Sequence, residues 1–308
     1  MSIHVLLQRK DKKTKEDIIY FNPTKRFVAP RWYIPNAQGS GLAGANPSMI
    51  VLPANQTSGN IPIEFDEGNG HAEIFGIVSE STGSYEITII DQGRKHSWMN
   101  RPIQIDTIAG SAQRPFILPV TYFLNVEKGT RQLSVIVTDL SGNQNTIRLA
   151  LVGRAFFIKQ APQDVRQAIT RKFGIKERVL TYMLTTAQAQ MAIATATQTR
   201  VEFIVPSDYP MELMKMTASS IDTTTGLAAP FEFEMIDYSS GRRYSQENLR
   251  IHSNLGWGNA QYPYIPFESF FLPRNYRLMM DYWSLAPNDA NFYFTLTGSK
   301  VLIPKEQA

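Results

Sequence analysis

Histidines come first, because an imidazole can ligate a metal or move a proton near neutral pH. The chain has four of them, His4, His71, His96 and His252. None stands at metal-ligand spacing from another. His96 and His252 fall near corresponding places in the two halves of the chain, where turn or surface positions are expected. No Gly-x-Ser-x-Gly elbow and no phosphate-loop pattern occurs. Leu255-Gly256-Trp257-Gly258 holds two glycines of a nucleotide loop, lacks a third and lies among strands. Glu64, Asp66 and Glu67 cluster but offer too few oxygens at calcium-loop register, so they read as a solvated turn. The absence of cysteine removes disulfides, thiolate catalysis and thiolate metal sites. No catalytic, metal or cofactor-binding residue is assigned, no cofactor is expected, and the reading is of a chain that is not an enzyme.

What is left is contact chemistry. Residues 1–47 carry Arg9, Lys10, Lys12, Lys13, Lys15, Lys25, Arg26 and Arg31 against Asp11, Glu16 and Asp17, a net +5. Residues 159–200 carry Lys159, Arg166, Arg171, Lys172, Lys176, Arg178 and Arg200 against Asp164 and Glu177, also +5. The whole chain is only +4, so the remainder is net −6. Basic segments meet nucleic acid, anionic lipid or acidic protein faces, or are simply solvated. Arg9, Lys10, Lys12, Lys13, Lys15, Arg171 and Lys172 are the candidates for such contacts. Aromatic residues are denser in the second half, and most alternate within strands as core. Trp257 and Tyr262, in a glycine-rich loop, are candidates for an exposed contact.

The elements around these residues come in two copies. Tyr85-Glu86-Ile87-Thr88-Ile89-Ile90-Asp91 lines up with Phe231-Glu232-Phe233-Glu234-Met235-Ile236-Asp237. Gly93-Arg94-Lys95 then matches Gly241-Arg242-Arg243. Gly110-Ser111-Ala112-Gln113-Arg114-Pro115-Phe116 matches Gly258-Asn259-Ala260-Gln261-Tyr262-Pro263-Tyr264. Leu151-Val152-Gly153-Arg154 matches Leu296-Thr297-Gly298-Ser299, and the offsets stay between 145 and 148. Glu73-Ile74-Phe75 matches Glu212-Leu213-Met214 more weakly. Collinear matches at near-constant offset mark an internal duplication.

Alternation of apolar and polar residues predicts strands at 48–53, 61–65, 72–79, 85–91, 102–108, 116–125, 131–139 and 146–157. In the second unit it predicts 200–205, 211–218, 231–237, 248–252, 263–271, 276–283 and 291–303. Asp91 and Asp237 end matched strands before a turn and read as turn caps. Gly153 and Gly298, inside long apolar strands, predict a bulge or a close backbone approach. Ala161-Pro162-Gln163-Asp164 opens a helix over 162–172, which breaks at Gly174 and resumes over 175–196. The expected fold is all-β: two tandem jelly-roll or β-sandwich domains at 48–158 and 198–308, a basic flexible arm at 1–47 and a short helical connector at 159–197. No apolar run of about 18 residues predicts a membrane-spanning helix. Met1 to Lys15 is polar and lacks the apolar segment of a secretory signal, so synthesis in a cytoplasm is expected.

Two diverged tandem units, a basic arm, no cysteine and no active-site pattern resemble the double jelly-roll major capsid proteins of icosahedral, often membrane-containing, bacterial viruses. The Pro-aromatic strand, the Arg277-Leu278 strand, the Asn288-Asp289 turn and the Leu296-x-Gly298 strand also look like collar, neck and head accessory sandwiches of tailed phages. The first resemblance implies a virion structural protein, made in the host cytoplasm, whose trimers form pseudo-hexameric capsid tiles. The implied partners are further copies of the chain, other virion proteins and, through arm and connector, a viral membrane or genome. A receptor- or carbohydrate-binding module is the alternative from a different class.

Overall fold

The computed structural model describes residues 28–65, 70–125, 132–157, 179–186, 190–245, 249–266 and 270–301, together with 163, 167, 171 and 268. The first half contains β1 (Val28–Tyr33), β2 (Ile50–Leu52), β3 (Ile61–Ile63), β4 (Gly70–Ser81), β5 (Tyr85–Asp91), β6 (His96–Ser97), β7 (Ile103–Gln104), β8 (Phe116–Asn125), β9 (Leu133–Asp139) and β10 (Asn145–Phe157). One sheet runs β1-β10-β4-β8, with β2 also on β10. The facing sheet runs β3-β9-β5-β6, with β7 also on β5.

The second half contains β11 (Val179–Thr185), β12 (Gln190–Ile193), β13 (Gln198–Ile204), β14 (Met211–Asp222), β15 (Phe231–Asp237), β16 (Ile251–His252), α1 (Ser253–Gly256), β17 (Phe270–Leu272), β18 (Arg277–Ser284) and β19 (Ala290–Val301). Its sheets run β11-β19-β14-β17, with β12 also on β19, and β13-β18-β15-β16. This is the order of the first half, with β16 in the place of β7 and the single bridge Ile236↔Arg243 in the place of β6. Each half is a two-sheet jelly roll, and the chain is all-β with two of them in tandem.

The alternation that predicts the strands is the alternation that fills the cores. In β5, Tyr85, Ile87, Ile89 and Asp91 point inward while Glu86, Thr88 and Ile90 are half-buried. A buried cluster of Ile50, Ile63, Ile74, Ile87, Trp98, Phe116, Tyr122 and their neighbours sits between the first pair of sheets. Phe203, Phe231, Phe233, Trp257, Tyr282, Phe292 and Phe294 form its counterpart in the second. Each such side chain removed from water contributes about 1.5–3 kcal/mol.

The expected bulges are present. The β10–β4 ladder shifts register between Val152 and Gly153, leaving Phe75 without an opposite residue. The β19–β14 ladder shifts between Leu213 and Lys215, leaving Met214 unopposed. A Cβ on Gly153 would lie 2.3 Å from the Glu73 carbonyl oxygen, and one on Gly298 would lie 1.9 Å from that of Glu212. Only glycine fits beneath either bulge.

Two expectations need correction. Residues 28–33 of the predicted flexible arm are a strand, β1, paired with β10 from Val28↔Phe156 to Tyr33↔Leu151. The predicted helix over 175–196 is instead β11 and β12, both paired with β19. Val179-Leu180-Thr181-Tyr182-Met183-Leu184-Thr185 is rich in β-branched and apolar residues, and a full ladder with Thr295–Val301 outweighs the helix propensity of the alanines that follow. Within the predicted helix over 162–172, the described residues Gln163, Gln167 and Arg171 are helical and exposed.

Candidate functional site

The two jelly rolls join edge to edge. β8, at one end of the first roll's sheet, lies beside β11, at the start of the second roll's sheet. The Thr181 hydroxyl donates to the Val120 carbonyl at 2.6 Å. The outer edge of β11 also takes a short stretch of the first roll as a partner. The Met183 N–H donates to the Trp98 carbonyl at 2.8 Å, and the Asn100 N–H donates to the Met183 carbonyl at 3.2 Å. The Asn100 side chain accepts from the Thr185 N–H at 2.9 Å and donates to the Thr185 carbonyl at 3.0 Å. Leu180 and Met183 are buried within the core cluster of the first roll. The junction is therefore core packing, not a polar contact between finished domains.

Charged groups surround this apolar centre. His96 on β6 stands 6.2 Å, ring centre to ring centre, from Tyr182. Burial, and then the nearby Lys300 ammonium, hold its pKa down at about 4. Lys300 Nζ sits 3.5 Å from the centre of the Tyr182 ring and 3.5 Å from an Asp208 carboxylate oxygen. Burial also lowers the Lys300 pKa. On the far side of the junction the Thr107 and Thr295 hydroxyls share a hydrogen bond of 2.8 Å. Lys215 donates to the Ile117 carbonyl and stands 5.2 Å from the Phe116 ring centre.

Two corner loops, 110–116 and 258–264, have the same hydrogen bonds in both rolls. Gly110 donates to the Ile77 carbonyl at 3.1 Å and accepts from the Ser79 N–H at 3.0 Å. Gly258 donates to the Met216 carbonyl at 3.4 Å and accepts from the Ala218 N–H at 2.7 Å. A Cβ on either glycine would meet a carbonyl oxygen, of Arg114 or of Tyr262, at 1.9 Å. The corners touch through Arg114, whose guanidinium carbon lies 4.3 Å from the Tyr262 ring centre.

Two recesses flank the second roll. One is an apolar cavity of about 140 Å³ between its sheets, lined by Leu213, Met235, Tyr244, Ile251, Phe270 and Leu278 among others. The other is an open polar cleft of about 610 Å³ between the rolls, lined by Asp106 of the first and by Ser219, Ser220, Asn254, Trp257, Asn259 and Tyr262 of the second.

The sequence candidates fall as follows. Arg9, Lys10, Lys12, Lys13, Lys15 and Lys172 lie outside the described residues, and Arg171 is exposed in helix. Trp257, expected as an exposed contact, is 6% exposed and belongs to the core. It packs on Phe294 and Phe233 at ring-centre distances of 5.2 and 6.0 Å, because the turn after α1 folds it inward. Tyr262 is 56% exposed and lines the polar cleft. His252 caps α1, its Nδ1 accepting from the Asn254 N–H at 3.2 Å. His96 departs from the surface position expected of it and lies in the junction. Asp237 caps its turn, accepting from the Ser239 N–H and hydroxyl and from the Ser240 hydroxyl, bonds that hold its pKa down at about 2. Asp91 accepts from the Arg94 N–H at 3.0 Å and from the Tyr122 hydroxyl at 2.8 Å. Among the described residues, no three His, Asp or Glu side chains gather as a metal group. The junction residues Trp98, Asn100, Leu180 and Met183 were not legible as a site. The alternation in Val179–Thr185 was the available signal, masked by the alanines beside it.

No protein-family model matches this chain, and no curated protein matches it. Among solved structures it is similar to a chain of Sulfolobus turreted icosahedral virus, at 13% identity over 91% of this chain and 92% of that one, with a TM-score of 0.42. It is also similar to the Flavobacterium meningosepticum glycosylasparaginase PNGase F, at 9% identity over 90% and 97% of the two chains, with a TM-score of 0.33. A chain described with the triple jelly-roll fold and turret assembly of an archaeal virus matches at 12% identity over 83% and 59%, with a TM-score of 0.23. At these identities and TM-scores, none of the three assigns an activity or a partner to this chain.

Proposed function

We propose that this chain is a virion structural protein, a capsid tile whose copies associate head to tail into a pseudo-hexameric trimer. One observation carries the reading. Two jelly rolls of the same strand order are fused through unlike sheet edges, β8 of the first and β11 of the second. The edges left at the two ends are again unlike, β1 and β17, and they are the counterparts of β11 and β8. A chain with this pair of ends can repeat its own internal junction between copies. Such a heterologous contact forms a ring when its rotation closes and a filament when it does not. Three copies would place six jelly rolls in one ring.

The basic residues fit the same reading. The Arg9, Lys10, Lys12, Lys13 and Lys15 arm, with Arg171 and Lys172, would meet neighbouring subunits, a viral membrane or the genome. Mass in solution and low-resolution imaging of the purified full chain test the proposal. Closed trimers or shells built from them are expected, and a chain that stays monomeric at high concentration sinks it. Removal of residues 1–27 should impair the higher assembly while leaving β1 and both jelly rolls folded.

The polar cleft favours a second reading, a carbohydrate-binding module. Amides, hydroxyls and one carboxylate line it beside the exposed ring of Tyr262. Titration with a panel of neutral oligosaccharides decides between the readings. Saturable binding abolished by Tyr262→Ala, together with a monomeric mass, would support the module over the tile.

A further inference from the structure

In the first jelly roll the space beside β8 is sealed from outside. Trp98 lies on Tyr122 with ring centres 4.5 Å apart, both fully buried. Met183 of β11 covers the pair's edge, its N–H bound to the Trp98 carbonyl and its side chain in the same buried cluster.

The second roll carries the same arrangement without the cover. Tyr244 donates to the Met235 carbonyl at 2.9 Å as Trp98 donates to that of Ile89 at 3.0 Å. Phe270 stands opposite Leu213 as Tyr122 stands opposite Ile74. Tyr244 and Phe270 are therefore the counterparts of Trp98 and Tyr122. Their ring centres are 5.7 Å apart, and they remain 46% and 39% exposed. Behind them lies the apolar cavity of about 140 Å³. Cavities of about 150 Å³ admit a benzene ring. Ser245, in the place of Met99, has a buried hydroxyl with no hydrogen-bond partner.

The chain also carries the missing cover, at its other end. Met183 pairs with the residue before Gly298, and Trp32 pairs with the residue before Gly153. Trp32 is thus the counterpart of Met183 on β1, and it is 64% exposed. β1 and β17 are separated by the strands of both rolls, roughly 30 Å at about 4.8 Å per strand. Trp32 cannot reach the cavity of its own chain.

We infer that Trp32 of one copy closes the open core of the next copy's second jelly roll. β1 of the incoming copy lies along Tyr244 and Ser245, and its indole seats beside Tyr244 and Phe270 as Met183 seats beside Trp98 within the chain. The inference rests on the head-to-tail reading above and names the contact that reading requires.

Trp32 is the exposed member of four tryptophans; Trp98, Trp257 and Trp283 are each buried, at 8% exposure or less. Indole fluorescence of the full-length protein therefore reports on it. On assembly, emission should shift to the blue and acrylamide quenching should fall several-fold, and Trp32→Phe should remove the change. Trp32→Ala should weaken association at least tenfold and leave the monomer's melting temperature unchanged. Because the chain has no cysteine, Trp32→Cys combined with Ser245→Cys gives a clean cross-link between copies under oxidation. Covalent ladders ending at three copies are expected. An assembled wild-type protein whose Trp32 stays fully quenchable overturns the inference and leaves the tile reading standing; residues 1–27 or an apolar small molecule would then fill the cavity. A wild-type chain that never associates overturns both.

Discussion

The Arg114 guanidinium lies 4.3 Å from the ring centre of Tyr262, and the two residues hold the same position in the two jelly rolls. Each follows a Gly and three spacers into the same corner, and each precedes the proline that opens the next stretch of chain. Equivalent corners thus meet face to face across the junction, and their difference in residue type makes the contact attractive. Two arginines would repel, and two tyrosines would lack the charge. A double-mutant cycle over Arg114→Ala and Tyr262→Ala should give a coupling of about 0.5–1 kcal/mol, the range for an exposed cation–π pair. Denaturant unfolding of the four proteins measures it, and additive losses would show that the stacking contributes nothing.

The paired glycines make a sharper forecast. An alanine at Gly153 or Gly298 would drive its Cβ into the carbonyl oxygen of Glu73 or Glu212. Each substitution should cost about 1–3 kcal/mol, and the two costs should be alike, since the two bulges are alike. Gly59 is the control: a Cβ there meets nothing within 4 Å and its backbone is not left-handed. Gly59→Ala should change stability by less than about 0.5 kcal/mol. Thermal melts of the three variants are sufficient.

Much of this was legible in the sequence because fold-preserving positions are local in their signal. Gly153 and Gly298 announce a bulge, Pro115 a strand entry, and alternation from Tyr85 to Asp91 a buried face, whereas the strand expected from Pro263 is only a bridge at Tyr264, and β17 begins at Phe270. β1 and β11 were not legible for a common physical reason. Each is an outer strand of its sheet whose pairing to β10 or β19 is formed with sequence more than a hundred residues away. Short-range propensity sees the alanines near Met191 and the polar run before Val28, and not the ladder. The burial of Trp257 is hidden likewise, because a glycine-rich loop resembles an exposed one until α1 turns the indole inward.

His96 gives the junction a pH dependence of predictable sign. Its folded-state pKa is depressed to about 4, first by burial and then by Lys300, with Arg94 adding and Asp91 and Asp208 opposing. Below its unfolded value of about 6.5, the unfolded chain takes up a proton that the folded chain refuses. This contribution to stability is complete above pH 6.5 and shrinks as pH falls toward 4, by on the order of 2–3 kcal/mol at most. His96→Gln should flatten the stability profile between pH 4 and 6.5. Asp237, held near 2, acts below that window, its contribution being lost only as pH falls from the ordinary carboxylate range toward 2.

Met183 tests whether the two rolls unfold as one body. Its side chain belongs to the second roll's β11 yet lies in the first roll's core, and its backbone bonds Trp98 and Asn100 on both sides. Loss of the side chain in Met183→Ala should cost about 2–5 kcal/mol. Asn100→Ala removes both side-chain bonds to Thr185 and should cost about 1–3 kcal/mol, because the Thr185 N–H and carbonyl are left to find new partners. The wild-type chain should melt in one calorimetric transition, since the first roll's core is completed at this edge by Leu180 and Met183 of the second. Met183→Asp, which places a carboxylate among apolar side chains, should split that transition into two as the first roll loosens before the second. A single transition retained in Met183→Asp at unchanged midpoint would mean that the shared core is not what couples the rolls. The coupling would then rest on the polar contacts of Thr107 with Thr295 and of Thr181 with Val120.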